Sequence, residues 1–133
     1  MKLTSQSEYA LLALVYLARC GGTKLVPVKD IAAAQGIPRK FLEQILLRLK
    51  RARYLHSLKG LHGGYRLAKP ARQITLAEIV RLFDGALAPI ESASKYYYEP
   101  SPLEKERKLM KVFKEVRDYT AAKMERTTLA SVC

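Results

Sequence analysis

Cysteine is scarce in this chain of 133 residues: only Cys20 and Cys133 occur, far apart and outside any metal-like spacing. That excludes a disulfide framework and matches the usage of a reducing compartment, so a cytoplasmic protein is expected. Long apolar runs are missing too. The ten-residue run inside YALLALVYLARC is too short to span a bilayer. Arg19 stands where a lipoprotein cleavage site needs a small residue, and Glu8 stands where a leader needs a base, so no membrane partner is expected. No Gly-x-Ser-x-Gly nucleophile is present, and no Lys-Ser/Thr follows the glycines at Gly63 and Gly64. Esterase and phosphate-loop readings of that glycine pair both fail on those absences. His56 and His62 have no partners in sequence. Neither an enzyme nor a metal or other cofactor is expected.

Acids are the last shortage, and the most informative. Twelve Asp and Glu face 24 Lys and Arg, a net charge of +12 that points to a polyanionic partner. The excess is concentrated: from Gly36 to Arg72 ten cations stand against one acid, Glu43.

That basic stretch has a recognisable layout. KDIAAAQG reads as a short helix stopped by Gly36, and Pro38 is suited to the first position of a longer helix through RKFLEQILLRLKRA. Two helices across so tight a turn spell helix-turn-helix. On the second helix Phe41, Leu42, Ile45, Leu49 and Ala52 share one face. Lys40, Glu43, Gln44, Leu47, Lys50 and Arg51 share the other, with Arg39 near its edge. Such a helix can dock its back on a core and offer its front to a groove; an ordinary solvated outer face is the alternative. Two short strands follow, Tyr54–Leu58 and Tyr65–Ala68, with Gly63-Gly64 expected to supply the positive φ of the hairpin tip. A basic hairpin directly after a helix-turn-helix is the layout of a winged helix.

Around this unit lie three further helices. Ser5 and Glu8 predict a capping box for the first, which Cys20-Gly21-Gly22 stops, with Tyr9, Leu12, Ala13, Tyr16 and Leu17 at helical spacing. Thr75 and Glu78 predict a second box opening LAEIVRLFD, stopped by Gly85. Periodicity then disappears through SASKYYYEPSP, a loop. A long helix over Leu103–Arg126 carries a stripe of Leu109, Val112, Phe113, Val116, Tyr119, Thr120 and Met124, spaced like a coiled-coil seam. Packing on its own domain and pairing with a second copy both use such a stripe; the helix's length and its position after a loop favour the second copy. The expected fold is therefore mainly α: a winged helix-turn-helix unit over 1–85, a linker over 86–102, and a dimerisation helix with its tail over 103–133.

With this order in view the chain resembles the Rrf-two family of bacterial transcriptional regulators, the IscR, NsrR and CymR type. The resembling stretches are MKLTSQSEYALLALVYLA, IPRKFLEQILLRLKRARYLHSLKGLHGGYRLAKP and ITLAEIVRLFDG, with TTLASV as a weak form of the family's ending. The resemblance implies a homodimeric winged-helix regulator, expected to act as a repressor on double-stranded DNA carrying a near-palindromic operator. It places base and groove contacts on Arg39, Lys40, Glu43 and Gln44; Lys50 and Arg51, on the basic front of the same helix, are expected DNA contacts from their charge and face. It also places a wing at Gly60–Arg66, with His62, Gly63, Gly64, Tyr65 and Arg66, at the minor groove or phosphates; Lys59, just before the wing, is a further expected DNA contact on account of its charge. Side-chain chemistry suits these roles: Arg and Lys donate to guanine, Gln44 can bracket adenine, and Glu43 can accept from cytosine. An intrahelical pair with Arg39 or Lys40 is the other use for Glu43. A winged helix that binds a protein instead of DNA is the alternative function, and the charge around the wing argues against it. The signal, a small-molecule or protein effector, is left open. One departure stands out. Cluster-binding members carry three cysteines in the stretch corresponding to Ala86–Pro102, and this chain has none there. Glu8 occupies the place of a carboxylate ligand in some members, but a carboxylate without thiolates holds no iron–sulfur cluster.

Overall fold

A computed structural model describes residues 1–133. In chain order it contains α1 (Ser5–Arg19), α2 (Val28–Gln35), α3 (Arg39–Arg51), β1 (Leu55–Leu58), β2 (Gly64–Leu67), α4 (Leu76–Asp84), α5 (Arg107–Arg126) and α6 (Leu129–Val132). Short 3₁₀ turns lie at Ala71–Gln73, Glu91–Ala93 and Pro102–Lys105. The mainly helical winged architecture is the one expected from the sequence.

α1 is the centre of the fold and packs against α2, α3, α4, β2 and α6. Its buried face is Ser7, Ala10, Ala13, Leu14 and Leu17, so of the residues at helical spacing Leu12 lies on the exposed side. The expected Ser5–Glu8 box is replaced by a cap at Thr4, whose hydroxyl accepts the Ser7 N–H at 3.3 Å. Asp84, at the end of α4, decides this choice. Its carboxylate accepts from the Thr4 hydroxyl and, at 2.7 Å, from the buried Ser7 hydroxyl, pinning α4 to the start of α1.

α2 ends at Gly36, which turns the chain in the left-handed region (φ 64°) as a glycine stop should. Pro38 occupies the cap of α3 rather than its first helical position. Leu42, Ile45, Leu46 and Leu49 form the buried back of α3; Phe41, assigned to that back from its spacing, is 54% exposed. β1 and β2 pair antiparallel with Leu55 opposite Leu67 and Leu58 opposite Gly64. Val26 adds a bridge to Tyr65 through reciprocal backbone bonds of 2.8 and 2.9 Å, which ties the wing to the segment entering α2.

The wing's tip lies earlier than the expected Gly63-Gly64. The Gly63 N–H donates to the Gly60 carbonyl at 3.0 Å, closing a turn with Leu61 and His62 at its centre, and the positive φ values fall at Gly60 (111°) and Gly64 (150°). Gly64 thus supplies part of the expected positive φ, and both adjacent glycines also serve close approach. A Cβ on Gly63 would lie 2.0 Å from the Leu58 carbonyl oxygen, and one on Gly64 would lie 2.3 Å from that of Val26.

The Thr75–Glu78 capping box of α4 is present. α5 begins at Arg107, later than expected, because Pro102–Lys105 forms a 3₁₀ turn first; the helix spans about 30 Å at 1.5 Å per residue. After α5 the chain returns to the winged unit. Thr128 bridges to Thr75, the Leu129 N–H donates to the Ile74 carbonyl, and Leu129 is fully buried in the main core. No helix is long and apolar enough to cross a membrane.

Candidate nucleic-acid interface

The front of α3 and the inner face of the wing form one groove of about 430 Å³. Arg39, Leu47 and Lys50 line it from α3; Lys59, Gly63, Gly64 and Tyr65 line it from the wing. Lys29, exposed in the first turn of α2, closes its end. Lys29 and Leu47 were not among the sequence-selected site residues. Leu47 stands on the expected front face, and its side chain offers the apolar contact that a thymine methyl takes. Lys29 carried no local signal, because only the close passage of the wing past α2 brings it to the groove.

The electrostatics of this surface follow from what is not paired. Three ion pairs occur in the chain: Arg39–Glu43, Arg81–Glu125 and Arg117–Asp118. Of the ten cations between Gly36 and Arg72, therefore, only Arg39 has an acidic partner. That pair, 3.4 Å apart across one helical turn with both side chains more than half exposed, is worth a few tenths of a kcal/mol. Arg39 and Glu43 can exchange it for contacts with bases. Tyr65 is half-buried in the groove, and burial followed by the nearby Glu43 carboxylate raises its hydroxyl above the ordinary tyrosine range.

The remaining sequence-selected residues divide. Lys40, Glu43 and Arg51 are exposed on the front of α3, and His62 is exposed at the wing tip. Gln44 is not brought to the groove and lines a second cavity, about 530 Å³, with Gln6, Tyr9, Phe41, Arg48 and Phe83. There Arg48 stacks on Phe83, 4.7 Å from the ring centroid, and donates to the Leu82 carbonyl at 2.6 Å, joining α3 to α4. Arg66 is not brought to the groove. It pairs across the hairpin with His56, on the opposite face of β2 from Tyr65, and lines a separate cleft with Thr23, Lys69 and Arg72.

The stripe on α5 also divides. Leu109, Val112, Val116 and Tyr119 are exposed, Tyr119 to 75%, and nothing in the chain covers them. Phe113 turns toward Ala88, Ala93 and Met110, and Met124 toward Ala77, Val80 and Leu87.

A family model described as Rrf2, iron-dependent transcriptional regulator, matches residues 3–133. The chain belongs to the Rrf2 family. It is a transcriptional regulator and not an enzyme. An HTH-type transcriptional regulator of Mycobacterium tuberculosis strain H37Rv is 36% identical over 135 residues, covering 99% of this chain and 81% of the relative. CymR of Bacillus subtilis is 30% identical over 120 residues, covering 90% and 86%. The solved structure of that CymR, described as the global cysteine regulator of its organism, matches with a TM-score of 0.78 at 26% identity over 99% of this chain and 95% of its own. IscR of T. potens matches with a TM-score of 0.71 at 27% identity, over 99% and 85%.

The iron in the Rrf2 description finds no suitable donors in this member. No group of three His, Cys, Asp or Glu side chains is gathered anywhere, the 86–102 stretch has no cysteine, and Glu8 is exposed. Cys20 follows α1 and Cys133 ends the chain. Neither the number nor the kind of these donors fits an iron–sulfur cluster.

Proposed function

We propose that this Rrf2-family regulator binds double-stranded DNA sequence-specifically as a homodimer on a near-palindromic operator and acts as a repressor. The observation that carries this reading is the groove between α3 and the wing, whose lysines have no acidic partner. α3 is of a size to enter a major groove, where Arg39, Lys40, Glu43 and Gln44 present donors and acceptors to base edges. Lys29, Lys50 and Lys59 neutralise phosphates, and the wing reaches the adjacent minor groove. The uncovered stripe of Leu109, Val112, Val116 and Tyr119 supplies an apolar seam for a second copy. A dimer seated on an operator obstructs polymerase, and an effector would release it by binding the DNA-competent and incompetent states unequally.

Selection of genomic fragments by the purified protein, followed by binding titrations, tests this. Enriched fragments should share two half-sites separated by about one helical turn or a multiple, roughly 34–36 Å per turn. If the dimer neutralises about 6–10 phosphates, affinity should fall about a thousandfold or more between about 50 and 200 mM salt. No enrichment, or binding indifferent to salt, would refute the reading.

A further inference from the structure

Leu61 is 92% exposed, more than any other large apolar side chain in the protein. Scattered exposed leucines are ordinary on protein surfaces. This one has an unusual mounting. It occupies a central position of the closed turn between Gly60 and Gly63, at the tip of the wing, between Gly60 and the exposed His62 and two residues after the exposed Lys59. The strands beneath it are held together closely, since Gly63 packs so tightly under the Leu58 carbonyl that no Cβ fits. The tip therefore projects an apolar side chain from a closely paired hairpin, two residues beyond Lys59.

A tip built only to meet phosphate would carry a donor there, and leucine has none. The surface of DNA that accepts a leucine at the end of a narrow projection is the minor groove, where apolar side chains wedge against or between base steps. Pyrimidine–purine steps yield most easily to such a wedge, so its cost depends on a sequence the protein does not hydrogen-bond. We propose that Leu61 is a specificity-determining residue: it enters the minor groove as an apolar wedge at one deformable pyrimidine–purine step in each half-site. This rests on the DNA-binding reading above and adds to it a position read by deformability. The contribution comes from burial of the side chain and not from counterion release, so it is independent of salt.

The test uses the full-length protein and operator fragments recovered by genomic selection, with 2-aminopurine replacing adenine at one position at a time in either strand. Binding of the wild type should raise emission at one step per half-site, as that base unstacks. Leu61→Ala should abolish the rise and weaken binding about tenfold, the worth of burying part of a leucine side chain, with the salt dependence unchanged. Replacing the responsive step by a stiff A-tract step should weaken the wild type and leave Leu61→Ala indifferent. Lys59→Ala serves as the contrast: it should keep the emission change and lower the salt slope by about one. Binding by the wild type with no emission change at any position, or an undiminished change in Leu61→Ala, would overturn the wedge while leaving DNA binding intact. Failure of the wild type to bind any fragment would overturn the DNA-binding reading, and the wedge with it.

Discussion

Gly64 and Tyr54 show how much of this fold depends on single atoms. Gly64 combines a φ of 150° with a backbone neighbour 2.3 Å from where a Cβ would sit. Gly64→Ala must therefore push Val26 away and break the bridge that ties the wing to α2, at a cost of about 3 kcal/mol in urea unfolding. Gly60→Ala, strained in φ but open in space, should cost about 1–2 kcal/mol. Tyr54 donates to Glu78 at 3.3 Å, and Glu78 also completes the cap of α4. Burial first, then the charge of Glu78 and its hydrogen bond, push the Tyr54 hydroxyl up to about 12. An unfolded tyrosine ionises near pH 10 (approximately). The stability Tyr54 contributes is thus complete below that pH and is lost as pH rises toward 12, because the native state alone keeps the proton. Chemical unfolding of the wild type should weaken more steeply across this range than that of Tyr54→Phe.

At the scale of elements, α3 divides its work by face. Its buried leucines and Ile45 fix the helix on α1, and its front is left to select bases. Gln44→Ala should relax preference at one base position by about 1–3 kcal/mol. Lys50→Ala should weaken every sequence alike, read as parallel shifts in titrations against operator variants. The helix-turn-helix and the α4 cap were legible from residues alone, because Gly36 and the Thr75–Glu78 box act within one turn of where they stand. The α1 cap was not. Thr4 and Ser5 are adjacent hydroxyl residues, both able to cap and Ser the stronger by itself, and the choice of Thr4 goes with its bond to Asp84, eighty residues on. Phe41 differs for a related reason: helical spacing puts it beside Leu42 and Ile45, but in the fold it lines the open cavity with Gln6, Tyr9 and Phe83 and stays exposed.

For the whole molecule, α5 is the decisive element, since it packs on α4 and on the 86–102 segment on one side and is bare on the other. Phe113 and Met124 belong to the held side, which makes them poor positions at which to probe assembly. Val112 and Val116 are exposed, so charges there should spare the fold. Val112→Asp with Val116→Asp should convert a dimer to monomers in light scattering, with unchanged helical content and much reduced operator affinity. A dimer persisting in that variant would place the interface elsewhere.

Local chemistry written in the sequence determined the order of helices, the hairpin, the stops at Gly36 and Gly85, and the crowding of cations into one third of the chain. Each of these depends on neighbours within a turn of helix or on charge count alone. Which edge of each amphipathic element would be covered was decided only in three dimensions. The wheel of α5 shows a stripe but not that Phe113 and Met124 go inward while Val112 and Tyr119 stay bare. The alternation of β2 separates Tyr65 from Arg66, but the position of α3 determines which of the two faces the groove. TTLASV reads as a tail until Leu129 is found buried beside Ile74 and α1. Burial is a property of surfaces meeting, and these surfaces come from residues too far apart in the chain for any local pattern to report.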